Sequence, residues 1–190
     1  NLSIRVGTTE FRRNTVNALA WLKEKYQLLI GAKINQRRIL QESNNVPVPI
    51  MGRMYFYRYN PKTASKLPYY DFFPLVIPIE NYGANNILGI NFHYLPYNLR
   101  TILMSNLIEG ANMNEGAENF KIRYRNIKGI NKFKQAVPCL HRYDLTKVAS
   151  KIIEVKPDDW ATAIYLPVEQ FVKKDKSFVW SESKRIIQGL

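Results

Sequence analysis

Two apolar runs separated by a polar turn occupy the middle of this 190-residue chain. The first, FPLVIPIE, spans residues 73–80, and the second, ILGINFHYL, spans residues 87–95. Runs of this length that are rich in β-branched and aromatic residues are typical of strands, and Gly83 between them favours a turn. The sequence therefore predicts an antiparallel hairpin in the core.

Further elements are predicted on either side of this hairpin. Pro47 and Pro49 mark a boundary, and the run RMYFYRY at residues 53–59 alternates in the manner of a strand. Helical spacing of apolar residues predicts one helix at residues 98–110 and another at residues 143–155. The residues expected on the inner face of the first helix are Leu99, Ile102, Leu103 and Leu107.

The C-terminal part of the chain is less regular. Residues 157–159 (PDD) predict a turn or a helix cap, and residues 160–167 (WATAIYLP) predict a strand. The pattern of residues 171–190 fits either a helix or a strand. Strands interrupted by helices indicate the α+β class. We therefore predict a small, bent antiparallel sheet, or a barrel-like core, with helices packed on it.

The N-terminal segment has a helical pattern of its own. Apolar residues recur at helical spacing from about residue 9 to residue 42, which corresponds to a helix about 50 Å long. A break at Gly31 into two packed helices is the alternative. The predicted organisation is a helical arm at residues 1–45 and an α+β core domain at residues 46–190.

The charge of the chain constrains its partners. Lys and Arg number 28 against 15 acidic residues, a formal charge of +13, and residues 1–45 and 110–150 each carry a net charge of +5. Such an imbalance does not favour folding, and it predicts a polyanionic partner: nucleic acid, an anionic membrane surface or an acidic protein. No run approaches the roughly 20 apolar residues of a membrane span, so no membrane partner is predicted.

The segment at residues 120–134 carries the strongest binding signal. On a strand, Lys121, Arg123 and Arg125 would share one face, matching the phosphates of a DNA strand, although solvated basic faces have the same pattern. A second basic group lies near the N-terminus and includes Lys33. The predicted nucleic-acid contacts are Lys121, Arg123, Arg125, Lys128, Lys132, Lys134, Arg12, Arg13, Arg37 and Arg38.

Catalytic patterns are weak, so neither an enzyme nor a metal or other cofactor is predicted. The two histidines, His93 and His141, and the single cysteine, Cys139, do not have the spacing of a zinc site. We expect a structural role for His93, and the Cys139–His141 pair lacks further support as a nucleophile and base. Neither a P-loop nor a dinucleotide fingerprint occurs. Residues 158–174 contain two aspartates, Glu169 and two lysines, but lack the Glu-x-Lys element of restriction-type nucleases.

Three stretches of the sequence resemble one protein family. They are residues 52–80 (GRMYFYRYNPKTASKLPYYDFFPLVIPIE), residues 87–100 (ILGINFHYLPYNLR) and residues 158–174 (DDWATAIYLPVEQFVKK), followed by Val179 and Trp180. The chain resembles the tailed-phage proteins called DNA end protectors, a head-completion component of T-even-like myoviruses. The resemblance implies a non-catalytic protein that sits at the end of packaged DNA, in the head or neck, and shields it from host exonucleases.

Three functional hypotheses follow. The first is a virion protein of the head-completion or neck type, assembled in the host cytoplasm, that binds double-stranded DNA independently of sequence and protects its ends. The second is a structural adaptor that joins head, portal, neck or tail proteins without binding DNA. The third is a nuclease that acts during packaging.

Overall fold

A six-stranded antiparallel sheet organises the part of the chain that this computed structural model describes, residues 36–41, 44–109 and 131–190. The strands are β1 (Asn45–Val46), β2 (Met54–Phe56), β3 (Tyr70–Asp71), β4 (Leu75–Asn81), β5 (Asn86–Asn91), β6 (Leu140–Asp144), β7 (Ile152–Val155) and β8 (Phe171–Val172). The sheet has the order β1-β7-β2-β4-β5-β6, and β3 pairs with β8 separately. The helices are α1 (Gln36–Ile39), α2 (Tyr97–Glu109), α3 (Trp160–Ala163) and α4 (Lys176–Gln188). The predicted α+β class is therefore confirmed.

The central hairpin forms as predicted from β4 and β5. Ile77 of β4 pairs with Ile90 of β5, and the turn between the strands contains Gly83 at a φ of +79°. A positive φ of this kind is readily adopted by glycine. Strand β5 ends at Asn91 rather than continuing to residue 95, because the Asn91 side chain accepts a hydrogen bond from the backbone of His93 and starts a 3₁₀ turn.

Both faces of the sheet are buried. Met54 and Phe56 of β2 point into the main core, whereas Tyr55 and Tyr57 join a second cluster on the opposite face. This is the alternation expected of a strand at residues 53–59, with neither face left to solvent. The second cluster is rich in tyrosine and contains Tyr55, Tyr57, Tyr59, Val76, Ile87, Tyr143 and Ile152.

Helix α2 also agrees with its prediction. Leu103 and Leu107 are buried in the core as expected, and the half-buried Leu99 packs against it. Ile102 is half-buried. Helix α4 fills the region where the sequence left helix and strand open. Asp175 caps its N-terminus, where the Asp175 carboxylate accepts a hydrogen bond of 2.8 Å from the backbone of Phe178.

The predicted helix at residues 143–155 is wrong. This segment contains the end of β6, a 3₁₀ turn at Leu145–Lys147 and strand β7. The Asp144 carboxylate accepts hydrogen bonds from the backbone and hydroxyl of Thr146 at 2.9 and 2.6 Å, which turns the chain after β6. Pairing of β6 with β5 and of β7 with β2 then selects extended conformations over local helical periodicity.

The predicted strand at residues 160–167 is also wrong, because the segment begins with helix α3. Residues 157–159 form a 3₁₀ turn with Pro157 in its first position, which leads the chain into the helix. The Trp160 indole donates a hydrogen bond of 2.8 Å to the carbonyl of Val155, and the alanines that follow favour a helix.

The predicted N-terminal arm lies mostly outside the described residues. Within it, Gln36–Ile39 is helical and Ile39 is buried in the main core, while β1 pairs with β7. The division of the chain at residues 45 and 46 stays a prediction. Every helix in the described ranges is too short or too polar to cross a bilayer.

Candidate nucleic-acid interface

Only part of the predicted set of cations falls within the described residues. Arg37 and Arg38 are adjacent and exposed on α1, and Arg38 forms an ion pair with Asp159. Lys134 is exposed on a different element, the 3₁₀ segment Asn131–Cys139, in which the backbone of Lys132 also lies. The remaining predicted contacts lie outside the described residues: Arg12, Arg13, Lys121, Arg123, Arg125 and Lys128.

A groove with a volume of about 650 Å³ lies elsewhere on the surface, where the sequence predicted no site. Its walls are the loop at residues 61–70, strand β6 together with Val137 and Pro138, and the last turns of α4. The volume falls within the roughly 300–1,000 Å³ that is usual for small-molecule and cofactor sites. The groove is therefore large enough for a nucleotide-sized group.

Tyrosine rings form much of the described lining of the groove. Tyr59 and Tyr143 pack edge to face with their ring centroids 4.9 Å apart, and Tyr94 stacks on His141 at 3.9 Å. The rings of Tyr69 and Tyr94 also pack together, with their centroids 6.1 Å apart. These contacts hold four tyrosine rings of the lining in place.

Tyr70 differs from these four tyrosines. It lines the groove, it is only half-buried, and no aromatic ring of the described residues packs on it. Its backbone is held by pairing of β3 with β8, where Tyr70 lies opposite Val172. Tyr70 therefore presents an aromatic ring whose position is set by the sheet.

Cations stand on the rim of the groove. Lys62 and Arg142 both line it, both are exposed, and neither forms an ion pair in the described part of the chain. The Arg142 guanidinium lies 4.9 Å from the centre of the Tyr82 ring. The groove thus combines free positive charge with aromatic surface, two features that nucleic-acid sites use together.

The acidic residue on the same rim is Asp144. Hydrogen bonds from the side chain and then the backbone of Thr146, together with the charges of Lys147 and Lys62, hold the pKa of Asp144 below its usual range. Asp144 consequently stays ionised and partly offsets the positive charge of the rim.

The loop at residues 61–70 is held in place by Lys173. The ammonium group of Lys173 donates hydrogen bonds to the carbonyls of Ala64, Ser65 and Leu67 at 2.7, 3.0 and 2.6 Å. Lys173 itself has a φ of +73°, a conformation that residues other than glycine seldom adopt. These contacts fix the wall of the groove that carries Lys62 and Tyr70.

A buried polar cluster adjoins the groove through Asp71, which is part of the lining. The cluster is formed by Asp71, Asn91, His93, Arg100 and Glu169. Asp71 accepts hydrogen bonds from His93 Nδ1 at 2.7 Å, from Asn91 at 3.1 Å and from the backbone of Phe73 at 3.0 Å. Burial acts to raise the pKa of Asp71, but the charge of His93 and these hydrogen bonds outweigh it and lower the pKa. His93 therefore has the structural role expected from the sequence.

Arg100 is the least expected member of this cluster, because it is fully buried on α2. Its guanidinium donates hydrogen bonds to the carbonyls of Leu95 and Ile164 at 2.7 and 2.9 Å, and to the Glu169 carboxylate at 2.5 Å. Burial lowers the pKa of Arg100. Burial acts to raise the pKa of Glu169, but the charge of Arg100 outweighs it, so that this pKa is lowered. The pair links α2 to the segment that precedes β8.

The Cys139–His141 pair lacks the properties of a nucleophile and its base. Cys139 is fully buried, which raises the pKa of its thiol, and its Sγ donates to the carbonyl of Gln135 at 3.2 Å. Burial also lowers the pKa of His141 to about 4, so that the imidazole is neutral at pH 7. A buried thiol that stays protonated is a poor nucleophile.

Two of the three carboxylates in the nuclease-like pattern are engaged in ion pairs. Asp159 pairs with Arg38, and Glu169 pairs with Arg100 and, at 3.8 Å, with Lys176. Within the described residues, no group of three or more His, Cys, Asp or Glu side chains is placed to hold a metal ion.

Sequence reasoning missed both Lys62 and Arg142 as candidate contacts. Lys62 lies in a polar loop between Pro61 and Pro68. Arg142 lies on β6, three residues after the buried Cys139. Each is an isolated cation in the sequence, and neither belongs to a basic run. Only the prolines around the loop and its flanking tyrosines could have indicated a binding loop.

Comparison with known proteins gives one match. The family model described as phage T4 terminal DNA protecting protein matches residues 9–187 of the 190-residue chain. No curated protein matches the chain, and no solved structure matches it. Because the match covers nearly the whole length, including the stretches that carry the resemblance noted above, the chain belongs to the phage T4 terminal DNA protecting protein family.

Proposed function

We propose that this protein binds the ends of packaged double-stranded DNA and shields them from exonucleases, without catalysis of its own, as a head-completion or neck component of the virion. The observation that carries the proposal is the match of residues 9–187 to a family named for the protection of DNA termini. The formal charge of +13 supports it, because phosphates attract such a surface whatever the base sequence.

The proposed contacts with the DNA backbone are the basic residues of two segments. One comprises Lys121, Arg123, Arg125, Lys128, Lys132 and Lys134, and the other comprises Arg12, Arg13, Arg37 and Arg38. Of the side chains that the structure describes, Arg37 and Lys134 are exposed and form no ion pair there, so both are available to phosphates. Arg38 would have to share its charge with Asp159.

A non-catalytic role is consistent with the state of the acidic side chains. A two-metal nuclease needs carboxylates that are free to bind divalent cations. Asp159 and Glu169 instead neutralise arginines, and Glu169 is almost inaccessible, with 1% of its side chain exposed. Use of these carboxylates as metal ligands would require both ion pairs to be broken.

The adaptor function is the second candidate, and exposed apolar side chains favour it. Val48 and Ile50 are 63% and 50% exposed in the loop after β1, and Leu190 is 59% exposed at the end of the chain. Contacts with portal, neck or tail proteins would bury such residues. Single exposed apolar residues are nevertheless common on protein surfaces, so DNA remains the preferred partner.

The proposed function can be tested by exonuclease protection of linear duplexes of several lengths. If the protein binds ends, the amount needed for full protection depends on the number of DNA molecules and not on their length. Protein that coats DNA without regard to ends would instead be needed in proportion to length. Degradation at the rate of free DNA would contradict the proposal.

The same assay without exonuclease addresses catalysis. The protein with linear DNA and Mg²⁺ or Mn²⁺ should leave the DNA intact. Cleavage that disappears in the double variant Asp158→Ala, Asp159→Ala would establish the nuclease hypothesis instead.

A further inference from the structure

The groove has two properties that distinguish a DNA end from the interior of a duplex. An interior base pair is stacked on both sides, whereas the terminal base pair has one free face and separates at a lower cost in free energy. A terminal base can therefore leave the stack and lie on another aromatic surface. The half-buried ring of Tyr70, which no aromatic ring of the described residues covers, offers such a surface.

The charges on the rim are suited to the backbone next to that base. Lys62 and Arg142 project from different walls of the groove and form no ion pair among the described residues, so that both charges are available. A nucleotide placed between the walls would bring its phosphates to these cations while its base reached Tyr70. The Asp144 carboxylate on the same rim interacts with Lys62 and repels phosphate, but the two cations outnumber it, so the rim stays attractive to phosphate.

The wall that carries Lys62 and Tyr70 is held in one conformation before any ligand binds. Lys173 fixes the loop through three carbonyls, and β8 fixes Tyr70 through Val172. A site that is already ordered loses less conformational entropy on binding, which favours affinity.

We propose that the groove binds the terminal nucleotide of a DNA end, with the base stacked on Tyr70 and the adjacent phosphates held by Lys62 and Arg142. This inference rests on the proposed function and deepens it, because it assigns recognition of the end to the groove and sequence-independent affinity to the basic segments. A duplex without free ends would bind through the basic segments alone.

The test compares two DNA probes of the same sequence: a blunt linear duplex, and a dumbbell whose ends are closed by hairpin loops. The parent protein should bind the linear duplex about tenfold more tightly, the order expected for one stacked base. In the double variant Lys62→Gln, Arg142→Gln this preference should disappear, while affinity for the dumbbell stays unchanged. The matched control Lys151→Gln, Lys156→Gln removes two exposed cations that do not line the groove, and should keep the preference.

A second readout reports the stacked base directly. A 2-aminopurine at the terminal position should lose fluorescence on binding of the parent protein and of Tyr70→Phe, which keeps the ring. It should keep its fluorescence with Tyr70→Ala. If Tyr70→Ala fails to fold, the double variant Lys62→Gln, Arg142→Gln still tests the inference, because both residues are exposed.

The outcomes separate the inference from the function on which it rests. If the groove variants keep the parent's end preference and fluorescence change, the groove is not the site, although the protein still protects DNA. Equal binding of the parent to both probes would also overturn the inference. Absence of binding to either probe, together with absence of protection from exonuclease, would overturn the proposed function itself.

Discussion

Charged side chains have opposite surroundings in the buried polar cluster and on the rim of the neighbouring groove. In the cluster, Arg100 and Glu169 are 0% and 1% exposed and neutralise each other, and Asp71 is held by His93. On the rim, Lys62 and Arg142 are exposed and form no ion pair in the described residues, although Lys62 is close enough to Asp144 to help lower the pKa of that carboxylate. The comparison indicates that the first group stabilises the fold, whereas the second is available for a ligand.

The stretches that carry the family resemblance supply the cluster. Asp71 lies in the first stretch, His93 and Arg100 in the second, Glu169 in the third, and the indole of Trp180 donates a hydrogen bond of 2.8 Å to the carbonyl of His93. The most recognisable residues of the sequence therefore include those that hold its core together. Residues that contact only the phosphates of DNA need be no more than basic.

The largest expected effect on stability comes from removing one partner of the Arg100–Glu169 ion pair. Arg100→Leu leaves the Glu169 carboxylate buried without its partner, and should lower the free energy of unfolding by about 3–5 kcal/mol. The double variant Arg100→Leu, Glu169→Leu should regain part of that loss. Urea unfolding provides the measurement.

Lys176→Gln is the matched control for this prediction. Lys176 is half-exposed and lies 3.8 Å from the same carboxylate, so its replacement should cost less than about 1 kcal/mol. An Arg100→Leu variant as stable as this control would show that the buried pair does not stabilise the core.

The next effect concerns the basic strand that is predicted at the start of residues 120–134, before the chain runs into a short basic turn. Replacement of Lys121, Arg123 and Arg125 together by Gln removes up to three phosphate contacts. DNA affinity should fall well over tenfold, and the salt dependence should flatten by about 2–3 units. Stability should change by under about 0.5 kcal/mol for each substitution, because we expect these side chains to face solvent.

Substitution of the opposite face of that strand gives the control. Ile122→Ser with Tyr124→Ser should reduce stability, because we expect both side chains to face the core. A triple Gln variant that unfolds, or that binds DNA like the parent, would mean that the strand prediction is wrong.

A smaller, gradual effect is expected from pH. The pKa values of Asp71 and Glu169 are lowered in the folded protein from ordinary values of 3.8 and 4.5. Well above pH 4.5 both groups are ionised in the folded and unfolded chain, and their contribution to stability is fully present. It is lost as the pH falls through the lowered folded values, because the unfolded chain then binds more protons. Unfolding free energies between pH 3 and pH 6 should show this decline, and a flat profile below pH 4.5 would contradict it.

The smallest effect distinguishes two neighbouring arginines on α1. Arg38→Gln breaks the ion pair with Asp159, in which Arg38 is 57% exposed, and should cost up to about 1 kcal/mol of stability. Arg37→Gln should leave stability unchanged and reduce the salt dependence of DNA binding by about one unit. If Arg38→Gln reduced the salt dependence of DNA binding and Arg37→Gln did not, Arg38 rather than Arg37 would be the phosphate contact.

The sequence predicted the elements whose signals are local. The hairpin of β4 and β5 and helix α2 each carry their own periodicity, and Gly83 marks the turn. The helix predicted at residues 143–155 failed because the partners of β6 and β7 lie elsewhere in the chain. Arg100 shows the same limit, since a charged residue indicates surface until its partner, 69 positions away, is known. The groove could not be predicted, because Lys62 and Arg142 come from separate elements.

The salt dependence of duplex binding tests most directly whether free cations on this protein hold DNA by its phosphates. With about five phosphate contacts, the logarithm of the binding constant should fall with the logarithm of salt concentration at a slope of roughly −4 to −5. The slope should be the same for duplexes of unrelated sequence. A flat response, or no binding at low salt, would contradict the account and favour the structural adaptor.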